Sequence, residues 1–223
     1  MASSPGTFAH TRAFDRAFAI PLALLYAFAL GGDVILIARQ SHAAAGWREG
    51  LTIADEAATM AFFGLQIVLL LVRHLPVAKS QGVWPRAVAV AGANFNFALL
   101  LLPRVTLGAG WTIAAAVLTI GGTIAALAVL AWLGPAFSIF PEARKLVAKG
   151  PYRYVRHPLY LAEIVTTLGI MLGFRQPWAA LVALGTIAFQ FWRMAYEEAV
   201  LREAYPAYDG YSRTTARLLP GIY

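Results

Sequence analysis

The sequence predicts an all-α fold: a polytopic membrane helix bundle of about six transmembrane helices, with a C-terminal helical hairpin and a cytoplasmic tail. Two observations carry that expectation. The 223 residues are 60% hydrophobic and only 13% charged, with a mean hydropathy of +0.65; ordinary soluble domains carry roughly 25% charged residues. Several apolar runs also approach the roughly 17–25 residues that cross a bilayer as a helix.

The spans follow in order. The first is expected over residues 18–38, interrupted by Gly31, Gly32 and Asp33. The second covers 58–72, or begins near Ile53, and the third covers 87–102 and ends at Pro103. The fourth, 111–133, contains no charged residue. The fifth and sixth, 158–174 and 177–196, are separated only by Arg175 and Gln176. So short a link makes them an antiparallel hairpin.

Charge then orients the bundle. With a cytoplasmic N-terminus, only Arg39, Arg48, Arg104 and Arg175 of the 18 Lys and Arg fall on the outer side. Such a bias places both termini, and residues 150–160, on the cytoplasmic side. The expected location is a bacterial inner membrane. The formal charge of +7 comes from cations interleaved with spans, not from a basic stripe, so topology explains it and no nucleic-acid partner is expected. The absence of cysteine removes disulfides, Fe–S clusters, cysteine zinc sites and thiol nucleophiles, and no metal centre is expected. The first 20 residues lack a small-residue cleavage site after a short apolar core, so no cleaved signal peptide is read. There is no internal repeat or second domain. Neither GxGxxG nor a Walker pattern is present, which excludes a soluble-type nucleotide fold.

Chemistry concentrates in residues 150–160, GPYRYVRHPLY, where Arg153, Arg156 and His157 stand among three tyrosines and two prolines at the mouth of the fifth span. Pro158 suits a first helical turn, where its missing N–H costs nothing. The free N–H groups there form a ready anion site. His157, Tyr160, Glu163 and Thr167 share one helix face. Glu163 lies about 9 Å inside the helix start at 1.5 Å per residue, and a carboxylate at that depth is a functional candidate. Counted outward from Arg175, the hairpin sets His157 level with Arg193 and Tyr160 level with Gln190. Gln190, Arg193 and Glu197 make a second polar face, with Glu198 adjacent, and the tail adds Tyr205, Tyr208 and Tyr211. Such parts suit a zwitterionic, nucleotide-like cofactor: a cation for its carboxylate, Glu197 or Glu198 for an ammonium or ribose, a tyrosine wall for adenine.

The segment LGPAFSIF…KLVAKGPYRYVRHPLYLAE…EEAVLREAYPAYDGYSRTTARLLP resembles the integral-membrane methyltransferases, which include isoprenylcysteine carboxyl methyltransferase and the phospholipid N-methyltransferases. The resemblance covers 133–223 and divides a single transmembrane domain into variable, substrate-side spans (1–132) and a cofactor-binding core (133–223). It implies S-adenosylmethionine as cofactor, held by Tyr152, Arg156, His157, Pro158, Tyr160, Glu197, Glu198 and Leu201. The acceptor it implies is lipophilic or amphipathic, an isoprenylcysteine-like carboxylate or a phospholipid amine, arriving from the lipid side. Arg193 or Arg156 would place a carboxylate, and Glu163 or a Glu197/Glu198 carboxylate would take the proton of an amine.

Ala162 stands where the family pattern often has Gly, and Tyr205-Pro206 where Phe-Gly is usual. RHPLYLAE with the RLLPGIY ending also resembles the NADPH-dependent membrane sterol and steroid reductases, although Leu159 replaces their Asn. A non-enzymatic membrane protein is the third reading, in which residues 150–160 are a cytoplasmic loop with interfacial tyrosines. Arg193 is then a snorkelling cation, Glu163 a structural partner, and Glu197 and Glu198 a solvated helix end. Asp33, Gln66, Asn94 and Asn96 read as helix–helix hydrogen-bonding groups or as lining of an acceptor pocket. His10, His42 and His74 are isolated loop residues with no assigned role.

Overall fold

The computed structural model describes residues 12–40 and 46–221. His10, His42 and the first eleven residues of the segment read for a signal peptide lie outside them, as do the last two residues of RLLPGIY. The elements are α1 (Arg12–Gln40), α2 (Trp47–Val72), β1 (Ala78–Lys79), α3 (Trp84–Asn94), a 3-10 helix (Phe95–Leu101), α4 (Ala109–Leu133), β2 (Glu142–Ala143), α5 (Pro158–Leu172), α6 (Trp178–Ala204) and α7 (Tyr208–Thr214), with short 3-10 turns at Gly134–Ala136 and Gly150–Arg153. The fold is an all-α membrane bundle, as expected. Among the described residues one small sheet pairs β1 with β2, Ala78 opposite Ala143 and Lys79 opposite Glu142.

Four stretches are long and apolar enough to cross a bilayer alone: Ala19–Ala38, Trp47–Val72, Ala109–Ala136 and Trp178–Ala204. The other two expected spans differ from the sequence reading. The third is α3, 11 residues, continued by the 7-residue 3-10 helix. At 1.5 and about 2 Å per residue, the two together still reach roughly 30 Å, the thickness of the hydrocarbon core. The fifth, α5, has only 15 residues and packs between α4 and α6.

The six segments alternate in direction. One end of the bundle gathers the start of α2 and the start of α4, where Arg48 donates to the Leu107 carbonyl, and the α5–α6 link, where Arg175 N–H bonds the Pro103 carbonyl. At the other end His74 N–H bonds the Pro135 carbonyl and Val77 N–H bonds that of Ala143. Exposed tryptophans mark both ends: Trp47, Trp111 and Trp178 in first turns at the former, Trp84 and Trp132 at the latter. Along α4 the span from Trp111 to Trp132 is about 32 Å at 1.5 Å per residue, the spacing of two interfacial aromatic belts.

The bundle closes tightest where α4 crosses α5. A Cβ on Gly122 would lie 2.7 Å from the Thr166 nitrogen, and one on Gly169 would lie 2.6 Å from that of Thr119. Each glycine stands three residues after a threonine, so small residues on both helices let the backbones touch, the main source of helix affinity where lipid competes for every apolar face. Gln176 sets the hairpin link: its amide donates to the Met171 carbonyl at 2.9 Å, and its oxygen accepts from Ala180 N–H at 3.2 Å.

Candidate active site

The chain is steered into the site by Gly150. Its φ of +63° is open to glycine, and Trp132 of α4 occupies the space where a Cβ would stand. The following turn buries Tyr152. The tail then returns alongside: Arg156 N–H bonds the Ala216 carbonyl at 2.8 Å, and His157 N–H bonds that of Arg217 at 3.1 Å. Pro158 opens α5 at its first position, where no donor is lost.

Glu198 of α6 is the hub of this junction. Its Oε1 accepts from Arg156 at 3.1 Å and Arg217 at 3.1 Å and faces His157 Nε2 at 3.0 Å, while Oε2 accepts from Arg202 at 3.2 Å. One turn deeper, Tyr160 donates to Glu197 Oε2 at 2.9 Å, and the Arg193 guanidinium lies 4.9 Å from the centre of the Tyr160 ring. Deeper still, Gln190 donates to Glu163 Oε2 at 2.6 Å and accepts from Arg193 at 2.7 Å; Arg193 itself is 3.7 Å from Glu163. Arg193 is 5% exposed, so it is a buried member of this array and not a cation snorkelling to an interface.

These pairings correct the expected register. His157 meets Glu198, Tyr160 meets Glu197 and Glu163 meets Gln190, so each partner lies one to two turns further along α6 than a count from Arg175 gives. The link itself does not set this offset: α5 stops at Leu172 and α6 starts at Trp178, each three residues from Arg175, so the offset lies in how the two helices pack and how far the side chains reach.

A cleft of about 780 Å³, its open mouth included, lies against this array. Of the residues singled out in the sequence, Tyr152, Arg156, His157, Tyr160, Arg193, Glu197 and Leu201 line it. Pro158, Glu163 and Glu198 do not: Pro158 shapes the helix start, Glu163 lies behind Arg193, and Glu198 is enclosed by its four donors. Tyr208 and Tyr211 of the tail line the cleft and Tyr205 does not. The opposite wall comes from the stretch after α4, including Phe137, Ser138, Glu142, Arg144 and Lys145. Sequence reasoning used these cations only for orientation; the run LGPAFSIF, already part of the family resemblance, was the available signal. Arg144 is bound in turn by Glu142 at 2.5 Å and by the His74 carbonyl.

Tyr208 and Tyr211 of the tail are held neutral. Tyr211 donates to the Tyr152 carbonyl at 2.6 Å, and burial pushes its phenol up to about 12. Burial also raises the phenols of Tyr152 and Tyr208. A phenol of this kind is a hydrogen-bond donor with an apolar face.

The described residues thus form a membrane bundle with a charged, tyrosine-walled cleft where two paired helices meet a returning tail. Residues 103–208, a little under half of the chain, match the phospholipid methyltransferase family, in agreement with the resemblance to the integral-membrane methyltransferases. The match takes in α4, which the sequence resemblance omitted, and stops at the first residue of α7. The chain is also 30% identical over 148 residues to the nickel-cobalt-cadmium resistance protein NccN of Alcaligenes xylosoxydans xylosoxydans, an alignment covering 63% of this chain and 64% of that protein.

Proposed function

We propose that the protein transfers a methyl group from S-adenosylmethionine to a lipophilic acceptor that reaches Arg193 from the bilayer. The single observation behind this reading is the composition of the cleft: cations (Arg156, Lys145), a carboxylate (Glu197) and tyrosine faces (Tyr152, Tyr208, Tyr211) line one space. A zwitterion carrying an aromatic base needs those three kinds of partner together. Arg156 and Lys145 would take the carboxylate, Glu197 the ammonium, and the tyrosines the base. His157 and Leu201 complete the wall, Pro158 supplies the helix start, and Glu198 acts indirectly by fixing Arg156 and His157.

When bound, S-adenosylmethionine supplies an electrophilic methyl group and keeps the electrons of the broken C–S bond on sulfur. The protein's task is then alignment and exclusion of water. Arg193, fixed by Gln190 and Tyr160, positions the acceptor. Glu163, one residue behind it, takes the proton of an acceptor that carries one. Arg156, held by Glu198 in the cleft wall beside His157, serves the cofactor in this reading and not the acceptor.

Isothermal titration of the purified protein with S-adenosylhomocysteine tests the reading. Binding is expected, weakened by Glu197→Gln. A folded protein that ignores S-adenosylhomocysteine but is protected by NADPH is instead a reductase; one that answers to neither is not an enzyme of either kind.

The charge asymmetry supports a bacterial inner-membrane location with this site facing the cytoplasm. Because the chain has no cysteine, a single Lys149→Cys variant reports the side: an impermeant maleimide should label inverted vesicles and not intact cells. The likeness to a metal-resistance protein favours a second, compatible role in which the methylated product alters metal tolerance. Growth in nickel, cobalt and cadmium, compared between the wild type and Glu197→Gln, tests it.

A further inference from the structure

On the bilayer side of Arg193, α1 and α3 bring polar groups to the array that the family-matched segment does not contain. Tyr26 of α1 is 2% exposed, its ring stacked on Phe63 of α2 at 5.2 Å. Its hydroxyl faces the Asn94 amide and lies within electrostatic reach of both Arg193 and Glu163. On α3, Gly92 lets the backbone lie against the Arg193 stem, since a Cβ there would come 2.6 Å from Arg193 Cδ. Asn94 donates to the Val90 carbonyl at 2.8 Å, but its Oδ1 is buried without a partner, and so is Arg193 Nε. A buried carbonyl and a buried guanidinium N–H, both unpaired next to a phenol, are costly in a folded bundle. Together they offer one acceptor and one donor.

We propose that Tyr26 and Asn94 are specificity-determining residues, forming the wall of the acceptor site opposite Glu163 and Arg193, and that they select a head group carrying both a hydrogen and a lone pair: a hydroxyl or an unprotonated amine. Such a group satisfies Asn94 Oδ1 and Arg193 Nε at once, whereas a carboxylate has no hydrogen for Asn94 and leaves it unpaired. The inference rests on the methyl-transfer reading and adds to it residues outside 103–208.

The test uses the full chain in phosphatidylcholine nanodiscs, loaded with S-adenosylhomocysteine, and three probes of equal chain length: dodecanol, dodecylamine (an ammonium in water, which must lose a proton to bind as the amine) and dodecanoate. Each probe's Kd is measured for the wild type, Tyr26→Phe and Asn94→Leu, with S-adenosylhomocysteine affinity measured beside it. Dodecanol or dodecylamine should bind more tightly than dodecanoate, and the two arms separate O–H from N–H recognition. Asn94→Leu should weaken the preferred probe by about tenfold, the loss of one buried hydrogen bond; Tyr26→Phe, which removes the hydroxyl that faces the Asn94 amide, should weaken it less, and both should narrow its lead over dodecanoate with cofactor affinity unchanged. A general loss of structure would lower cofactor affinity as well; Tyr26→Phe, which removes a single oxygen, is the variant that guards against it. The proposal is overturned if dodecanoate binds best, if none of the probes binds the loaded protein, or if both variants bind all three as the wild type does. Failure of S-adenosylhomocysteine to bind the wild type overturns the methyl-transfer reading itself.

Discussion

Glu198 Oε1 lies 3.0 Å from His157 Nε2, joining the last turns of α6 to the residue that precedes α5. The same oxygen holds Arg156 and Arg217, so one carboxylate ties together two helices and the returning tail. Its neighbour Glu197 does the opposite work, meeting Tyr160 and facing the cleft. Two adjacent glutamates in one sequence motif thus have different tasks, one holding the site together and one lining it.

This division predicts opposite outcomes for two similar substitutions. Glu198→Gln removes the charge that Arg156, His157, Arg202 and Arg217 share. Loss of one partner from a buried ion pair costs about 3–5 kcal/mol. Arg156 and Arg217 retain 15% and 17% exposure, so the lower half of that range is expected. Glu197→Gln keeps an acceptor for Tyr160 and should unfold within about 1 kcal/mol of the wild type, yet bind S-adenosylhomocysteine less tightly. Unfolding in detergent, paired with calorimetric titration, separates the two effects. Equal destabilisation by both would contradict the division.

At the α4–α5 crossing, Gly122→Ala would set a methyl 2.7 Å from the Thr166 nitrogen and 3.1 Å from the Ala162 carbonyl. The obstacle is backbone, which cannot swing aside, so the helices must part. Overpacking of this kind costs about 1–3 kcal/mol. Gly121→Ala is the matched control, since nothing lies within 4 Å of its Cβ position; it should leave the melting temperature unchanged or slightly raised.

Tyr211 gives the protein an alkaline limit. Burial, opposed by Arg156 and reinforced by Glu197 and Glu198, moves its phenol from 10.0 up to about 12. The folded state therefore keeps the proton while the unfolded chain loses it, so the stability contributed is complete below pH 10 and drains away as pH rises through 12. Tyr211→Phe should start lower by about 1 kcal/mol, the worth of the bond to the Tyr152 carbonyl, and decline less steeply than the wild type across that window. Melting curves at several alkaline pH values compare the slopes; parallel decline would show that Tyr211 takes no part.

The long spans and the α5–α6 pairing could be read from the sequence, because hydropathy marks bilayer crossings and a short link admits only a hairpin. The density of Arg, His and Tyr at residues 150–160 pointed to the right mouth of the bundle. Three features were not legible. The apolar run after Asn94 looks helical, and nothing local announces that it narrows to a 3-10 helix at Phe95–Leu101. The hairpin register does not follow from the link, whose ends at Leu172 and Trp178 are symmetric about Arg175; only the packing of the two helices sets His157 against Glu198 and not Arg193. Tyr26 stands in an ordinary apolar span, 137 residues before Glu163 in chain order, so its place beside the array is visible only once the helices are packed.

Asn96 offers the cleanest test of how the short fifth helix is held. Its amide donates to Thr167 Oγ1 of α5 at 2.7 Å, and its oxygen accepts from Thr186 Oγ1 of α6 at 2.9 Å. Both threonines also bond carbonyls of their own helices, Thr167 to Glu163 and Thr186 to Val182, so the asparagine clamps two helices at sites that are otherwise satisfied. In a bilayer such side-chain bonds average about 0.6 kcal/mol, because the separated helices find other partners. Asn96→Ala should therefore lower stability by about 1–2 kcal/mol for the pair, and leave S-adenosylhomocysteine affinity unchanged, since the clamp lies outside the cleft lining. Adding Thr167→Val to Asn96→Ala should cost little more than the single change, because their shared bond is already gone. Fully additive losses in such a double-mutant cycle would show that Asn96 and Thr167 do not interact.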